Sequence, residues 1–270
     1  MGGSSDKGRQ AIVEHLDQVL AGADVHAETV GNELFGVAGL LDSEPSLRRT
    51  VTDPGLAGAA RSALIRQVLG DRVSPATSQL VATGAGQRWS SSRDLADSLE
   101  HAGAVAHIAQ AEEEGRLDDV EDELFRFERI VSADAGLRDM LNDRAAPAAG
   151  KQTLIRALLA DKTAPSTRRL AVQATAGRHR SVSAALEEFA KVVAQRRERL
   201  VATVTVAQSL SAEEQTRLGE VLRRDYGRAV HLNIIVDGSI LGGARIEIGD
   251  EVVDGTVLSR LENARRRVAG

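Results

Sequence analysis

The chain contains no cysteine, which excludes disulfides and thiolate metal sites and fits a reducing compartment. Aromatic residues are nearly as scarce, at 2% against 42% hydrophobic residues. Any core must therefore be built from Ala, Leu, Val and Ile, a composition that suits closely packed helices. Positive charge is not in excess: the formal net charge of −5 argues against a general nucleic-acid binder, which needs a basic surface to release counterions. No apolar run approaches the roughly 20 residues that span a bilayer, so direct membrane insertion is not expected. The start, MGGSSDKGR, lacks the apolar centre of a signal peptide, and Met1–Ser5 reads as an appended end. What remains is 270 residues, enough for two or three domains with real cores.

Most of the first 200 residues read as helix. Leu117, Val120, Leu124, Phe127 and Val131 recur at steps of three or four, as do Val182, Leu186, Phe189 and Val193, so each set lines one helix face and reads as core packing. Asp53-Pro54-Gly55 is a turn, and Ser74-Pro75 places an N-cap before a proline at the first helical position, where its missing N–H does no harm.

Sliding the chain by 90 positions exposes an internal repeat. Glu33-Leu34-Phe35 falls on Glu123-Leu124-Phe125, Leu64-Ile65-Arg66 on Leu154-Ile155-Arg156, and the register holds without a gap through Pro75/Pro165, Leu80/Leu170, Arg88/Arg178 and Ser91/Ser181. The expected organisation is mainly α: two tandem homologous helical bundles, residues 1–91 and 92–200, followed by a small α+β domain at 201–270. The helix near 92–110 matches the last helix of the second copy and also stands where that copy needs a first one, so it is expected to serve both.

After Arg199 the period changes. LVATVTVA (200–207) and VHLNIIVD (230–237) are β-branched runs of strand length, and Ser211-Ala212-Glu213-Glu214 is a capping box opening a helix to about Tyr226. Ile246 and Ile248 alternate with charged residues, Gly249-Asp250 suits a hairpin turn, and Glu251–Asp254 return as the partner strand. A last helix is expected over about 256–268, with Arg265-Arg266-Arg267 at its negative end. The glycines of this stretch do not make a phosphate loop, because Gly242-Gly243 precedes a strand rather than a helix and no GxxxxGK[ST] occurs. They read as backbone geometry.

Other candidates for chemistry have plainer explanations. The acids around Glu112–Glu114 and Asp118–Glu123 lack EF-hand spacing and read as a solvated face. The six histidines (His15, His26, His101, His107, His179, His231) include no HExxH and no i,i+4 pair, so no metal is expected. Ser90-Ser91-Ser92 lacks a GxSxG elbow and reads as a turn and N-cap. No catalytic residue and no cofactor are expected.

DGSILGGARIEIGDEVVDGTVLSRLENARRR, residues 237–267, resembles the C-terminal signature of the delta subunit of the F-type ATP synthase, called the oligomycin-sensitivity-conferring protein in mitochondria. Leu241, Gly242, Gly243, Gly249, Asp250, Asp254, Gly255 and Arg260 match that pattern in order. A bundle of about six helices upstream, then a strand and a capped helix, extends the resemblance over roughly the last 175 residues. It implies a non-catalytic stator part of the peripheral stalk, at the cytoplasmic face of a bacterial cell membrane, whose bundle takes an N-terminal helix of an alpha subunit between its first and fifth helices. The C-terminal domain would grip the b subunit. Here that groove is expected between Val105, Ile108 and Ala109 on one helix and Leu170, Ala171 and Ala174 on another. The extra first bundle departs from the family pattern, and some delta subunits are fused behind b. The alternative is a helical-repeat adaptor holding two protein partners.

Overall fold

The structure, a computed structural model, describes residues 3–22, 24–198, 201–226, 230–238, 240, 242–248 and 251–254. The expected helix at 256–268 and the residues Leu241, Gly249, Asp250, Gly255 and Arg260 lie outside the described residues. Contacts divide the chain into two units, Met1–Val193 and Ala194–Gly270.

In the first unit α1 (Gly3–Leu20), α2 (Ala27–Ser43), α3 (Pro45–Val51), α4 (Gly58–Leu69) and α5 (Pro75–Gly86) lead to the long α6 (Ser92–Glu113). Then come α7 (Leu117–Ala133), α8 (Ala135–Asn142), α9 (Ala148–Leu159), α10 (Pro165–Ala174) and α11 (Val182–Glu198). Each of α7 to α11 begins 90 residues after its counterpart among α2 to α6, so the sequence register is also the register of the helices.

Local chemistry repeats with it. In the first copy the Glu33 carboxylate on α2 accepts from the backbone N–H and hydroxyl of Ser74 at 3.0 and 2.6 Å, tying down the start of α5. In the second, Glu123 on α7 accepts from the Ala164 N–H at 2.8 Å and the Thr167 hydroxyl at 2.5 Å, at the start of α10. The turns repeat as well: the Asp53 carboxylate accepts from the Gly55 N–H and the Asp143 carboxylate from the Ala145 N–H, both at 2.8 Å.

Both expected stripes are core, with Leu124, Val131, Leu186 and Val193 at 0% exposure. Ser74 caps α5 ahead of Pro75, and Ser91 with Asp94 forms a capping box at the start of α6. Fourteen of the 22 residues of α6 are buried, which means it is packed on every side. It packs against α1, α2, α3 and α5 as well as α7 and α10.

Of Met1–Ser5, which reads as an appended end, residues 3–5 are built into the fold. The first helix starts at Gly3, and Ser5 is fully buried, donating to the Asp94 carboxylate at 2.5 Å and accepting from the Ser90 N–H at 2.9 Å. A serine small enough to enter the α1–α6 contact and able to satisfy two polar groups there belongs to the core of the bundle.

In the second unit β1 (Val201–Val206) is followed by α12 (Ala212–Tyr226), β2 (His231–Val236), β3 (Ala244–Ile248) and β4 (Glu251–Asp254), in sheet order β2-β1-β3-β4. The β1 and β2 strands are parallel, as a crossover through a helix requires, and the other pairs are antiparallel. The register sets Ala202 against Ile248, Val204 against Ile246 and Val206 against Ala244. These alternate residues share one face, and Leu218 and Leu222 of α12 cover it. The capping box is present: Ser211 N–H donates to Glu214 at 2.8 Å, and Glu214 N–H to the Ser211 hydroxyl at 3.3 Å.

Candidate partner-binding site

All six residues expected to line a groove are buried: Val105 is 5% exposed, Ala109 4%, Ala174 2%, and Ile108, Leu170 and Ala171 are at 0%. The helices that carry them, α6 and α10, do pack together, so the residues form the seam between the two helices and not the floor of an open slot. Their burial has a physical reason: apolar positions at helical spacing report which face turns inward, and in a complete bundle that face is closed.

The accessible edge of the seam is polar. Arg169 on α10 pairs with Glu28 on α2 at 3.2 Å, and both side chains are about half exposed. Beneath this pair α2 and α6 approach closely, because a Cβ on Gly31 would lie 3.1 Å from the Gly103 carbonyl and 2.7 Å from the His107 ring. The Phe35 ring covers Gly103 and stacks on His107 with centroids 5.3 Å apart. Burial, reinforced by the nearby Arg169 charge and only partly opposed by Glu28, depresses the His107 pKa to about 4, so the ring is neutral.

Where α10 turns into α11 stands a buried ionic cluster. Arg178, 3% exposed, donates to Asp42 on α2, lies 2.5 Å from Asp97 and 3.1 Å from Glu100 on α6, and reaches the Ala38 carbonyl at 3.4 Å. Glu100 also accepts from Gln173 at 2.6 Å and contacts the His179 ring at 3.1 Å. Burial alone would raise the Glu100 pKa, but the bond from His179 and the charge of Arg178 outweigh it and hold the carboxyl below its usual range. Burial wins at Asp97, whose pKa is raised in spite of Arg178. The bond to Glu100 raises His179 against its own burial. Beside this cluster opens a cleft of about 400 Å³, lined in part by Arg9, His101, Glu188 and Lys191. Sequence reasoning aligned Arg178 with Arg88 but missed the cluster. The available signal was that Lys7 and Gln10 in the same register become Asp97 and Glu100.

In the second unit Gly242 and Gly243 both have positive φ, 138° and 85°, so they do supply the backbone geometry expected of them, and Asp254 ends β4. Among the described residues no group of acids and histidines is arranged to hold a metal ion.

The arrangement is one of packed helices, caps and ion pairs. A family profile describing the ATP synthase delta (OSCP) subunit matches residues 99–268. The chain belongs to the ATP synthase delta family. The delta subunit of Streptomyces griseus is 45% identical over 271 residues, covering all of both chains. Those of Streptomyces coelicolor and Kineococcus radiotolerans are each 44% identical, covering 100% and 96% of this chain and 98% and 95% of their own. As a delta-family member the chain is a non-catalytic peripheral-stalk component, a stator part of the ATP synthase. The family match begins within α6 and takes in α7 to α11 and the α+β unit, whereas the delta relatives also align with α1 to α5.

Proposed function

We propose that this chain links the catalytic head of the ATP synthase to its peripheral stalk. The observation that carries this reading is that the family match runs through the second bundle and the α+β domain together, while full-length relatives share the additional bundle. In this reading the domains are 1–91, 92–200 and 201–270, with α6 common to the two bundles. The second bundle receives an N-terminal helix of an alpha subunit along the α6–α10 seam. Because Val105, Ile108, Ala109, Leu170, Ala171 and Ala174 are closed in, the incoming helix meets the seam at its polar edge, beside Arg169, and reaches the apolar residues only as Glu28 yields its place.

The α+β domain, with Leu241 to Arg260 of the signature, holds the end of the b stalk. Two attachments give the clamp avidity, and slow dissociation rather than any reactive group is what resisting rotor torque demands. No described helix is long and apolar enough to cross a membrane. In this reading the chain is held at the cytoplasmic face of the bacterial membrane through its partners.

The test is calorimetric titration of the full chain with a peptide of the alpha N-terminal segment, and separately with the C-terminal segment of b. Binding of the alpha peptide that weakens about tenfold or more with Arg169→Glu supports the seam edge, tenfold being about 1.4 kcal/mol. Binding unaffected by that change moves the site elsewhere on the bundles. Failure of both peptides to bind the folded chain refutes the linkage.

A further inference from the structure

Arg88 and Arg178 occupy the same place in the 90-residue register, yet Arg88 is exposed while the Arg178 side chain is 3% exposed. The difference lies in what surrounds them. Counted back 90 positions, Asp97 and Glu100 become Lys7 and Gln10, so the first bundle lacks the two carboxylates that flank Arg178. The third carboxylate, Asp42, and the Ala38 carbonyl are supplied by α2, a helix of the first bundle. The opposite end of α2 is tied by Glu28 to Arg169, and the register equivalent of Arg169 in the first bundle is Gln79. Both ends of α2 are thus bonded to arginines that have no working counterpart in the other copy.

Between those ends the α2–α6 contact is made at Gly31 and Gly103. The two glycines let the backbones approach and seat the His107 and Phe35 rings at this central point, so resistance to sliding and pivoting at the ends of α2 falls to the ion pairs there. A planar guanidinium bonded to carboxylates from two different helices resists both, since its donors are fixed in one fork.

We propose that Arg178 is the positioning residue of the junction between the two bundles: by joining Asp42 of α2 to Asp97 and Glu100 of α6, it locks the first bundle against the α10–α11 connection of the second, so that the two turn as one lever. The lock is a property of this chain's own geometry and stands whichever partners the bundles hold.

Asp42→Asn is the informative variant. It weakens the bond across the junction while Arg178 keeps two carboxylates and is not left as an uncompensated buried charge; the other contact it touches is the 3.4 Å pair of Asp42 with Arg48 of α3. The absence of cysteine permits clean spin labelling at Arg66→Cys on α4 and Arg156→Cys on α9, exposed equivalents in the two copies. Pulsed electron spin resonance should give one narrow distance between the labels in the otherwise unchanged chain. It should give a broadened or split distribution with Asp42→Asn and recovery with Asp42→Glu. Hydrogen exchange serves as the second readout: amides of α2 should exchange on the order of tenfold faster in Asp42→Asn while those of α4 and α9 do not change. An unchanged distance distribution in folded Asp42→Asn overturns the proposal, since the α6 core alone would then fix the bundles. A uniform acceleration of exchange overturns it too, by showing that Asp42 supports global stability only.

Discussion

His107 offers a quantitative test of the α2–α6 packing. Its ring is 1% exposed, stacked on Phe35, and its Nε2 has no hydrogen-bond partner. In the unfolded chain it takes up a proton near its ordinary value of 6.5, and in the folded chain only near 4. The folded pKa is the depressed one, so the unfolded state binds the proton first and stability falls as pH drops below 6.5, levelling off below about 4. The slope approaches about 1.4 kcal/mol per pH unit, which makes the loss about 2 kcal/mol between pH 6.5 and 5 and about 3 kcal/mol by pH 4. His107→Leu removes this dependence: at pH 7 it exchanges a ring contact for relief of an unpaired nitrogen, with a net change within about 1 kcal/mol. Urea unfolding followed by circular dichroism, on the chain and on the variant from pH 7.5 to 4.5, isolates the effect, because every carboxylate they share cancels in the difference. The variant should gain steadily on the parent below pH 6.5. A difference that stays flat across that range would refute a neutral, unpaired His107 in the seam.

His179 should behave in the opposite sense. Its bond to Glu100 raises its pKa, so its contribution is fully present below about 6.5 and is lost as pH rises through the raised folded value. Its ring resonances should titrate with a midpoint above that of a free histidine, and Glu100→Gln should bring the midpoint down. Lys151→Arg should stabilise the chain by about 1–2 kcal/mol in thermal or urea unfolding. Its counterpart Arg61 donates to the carbonyls of Asp53, Leu56, Ala85, Gly86 and Gln87, whereas Lys151 reaches only that of Asp143. A neutral or negative result would mean that the second copy has closed around the shorter side chain. Gly103→Ala should destabilise by about 1–3 kcal/mol in spite of the better helix propensity of alanine, because the new Cβ would lie 2.7 Å from the Phe35 ring. If unfolding shows no loss, Phe35 moves aside and the contact is looser than drawn.

The helices and their caps were legible in the sequence because their causes are local. A stripe such as Leu117 to Val131 and a cap such as Ser74-Pro75 depend on residues within a turn or two of each other. The repeat was legible because two copies of one solution share the same local causes, down to Glu33 and Glu123. What could not be read was anything that one copy does to the other. Val105 and Leu170 were correctly turned inward by their spacing, but spacing does not reveal that the inward face is shut. Ser5 gave no signal, since a serine that satisfies Ser90 and Asp94 across more than 80 residues looks the same in the sequence as one in a tail.

Divergence between the copies therefore says more about their junction than identity does. Where Arg61 became Lys151, a set of carbonyl bonds within one bundle was reduced. Where Lys7, Gln10 and Gln79 stand opposite Asp97, Glu100 and Arg169, charges were placed that pair with Arg178 in the α10–α11 connection or with Glu28 of α2. Two bundles joined by a flexible tether would place no such demand on those positions. A helix buried on every side, with neighbours from both copies, requires them to differ, since its two faces serve different partners. This is why α6 reads in the sequence as the end of one copy and the beginning of the next.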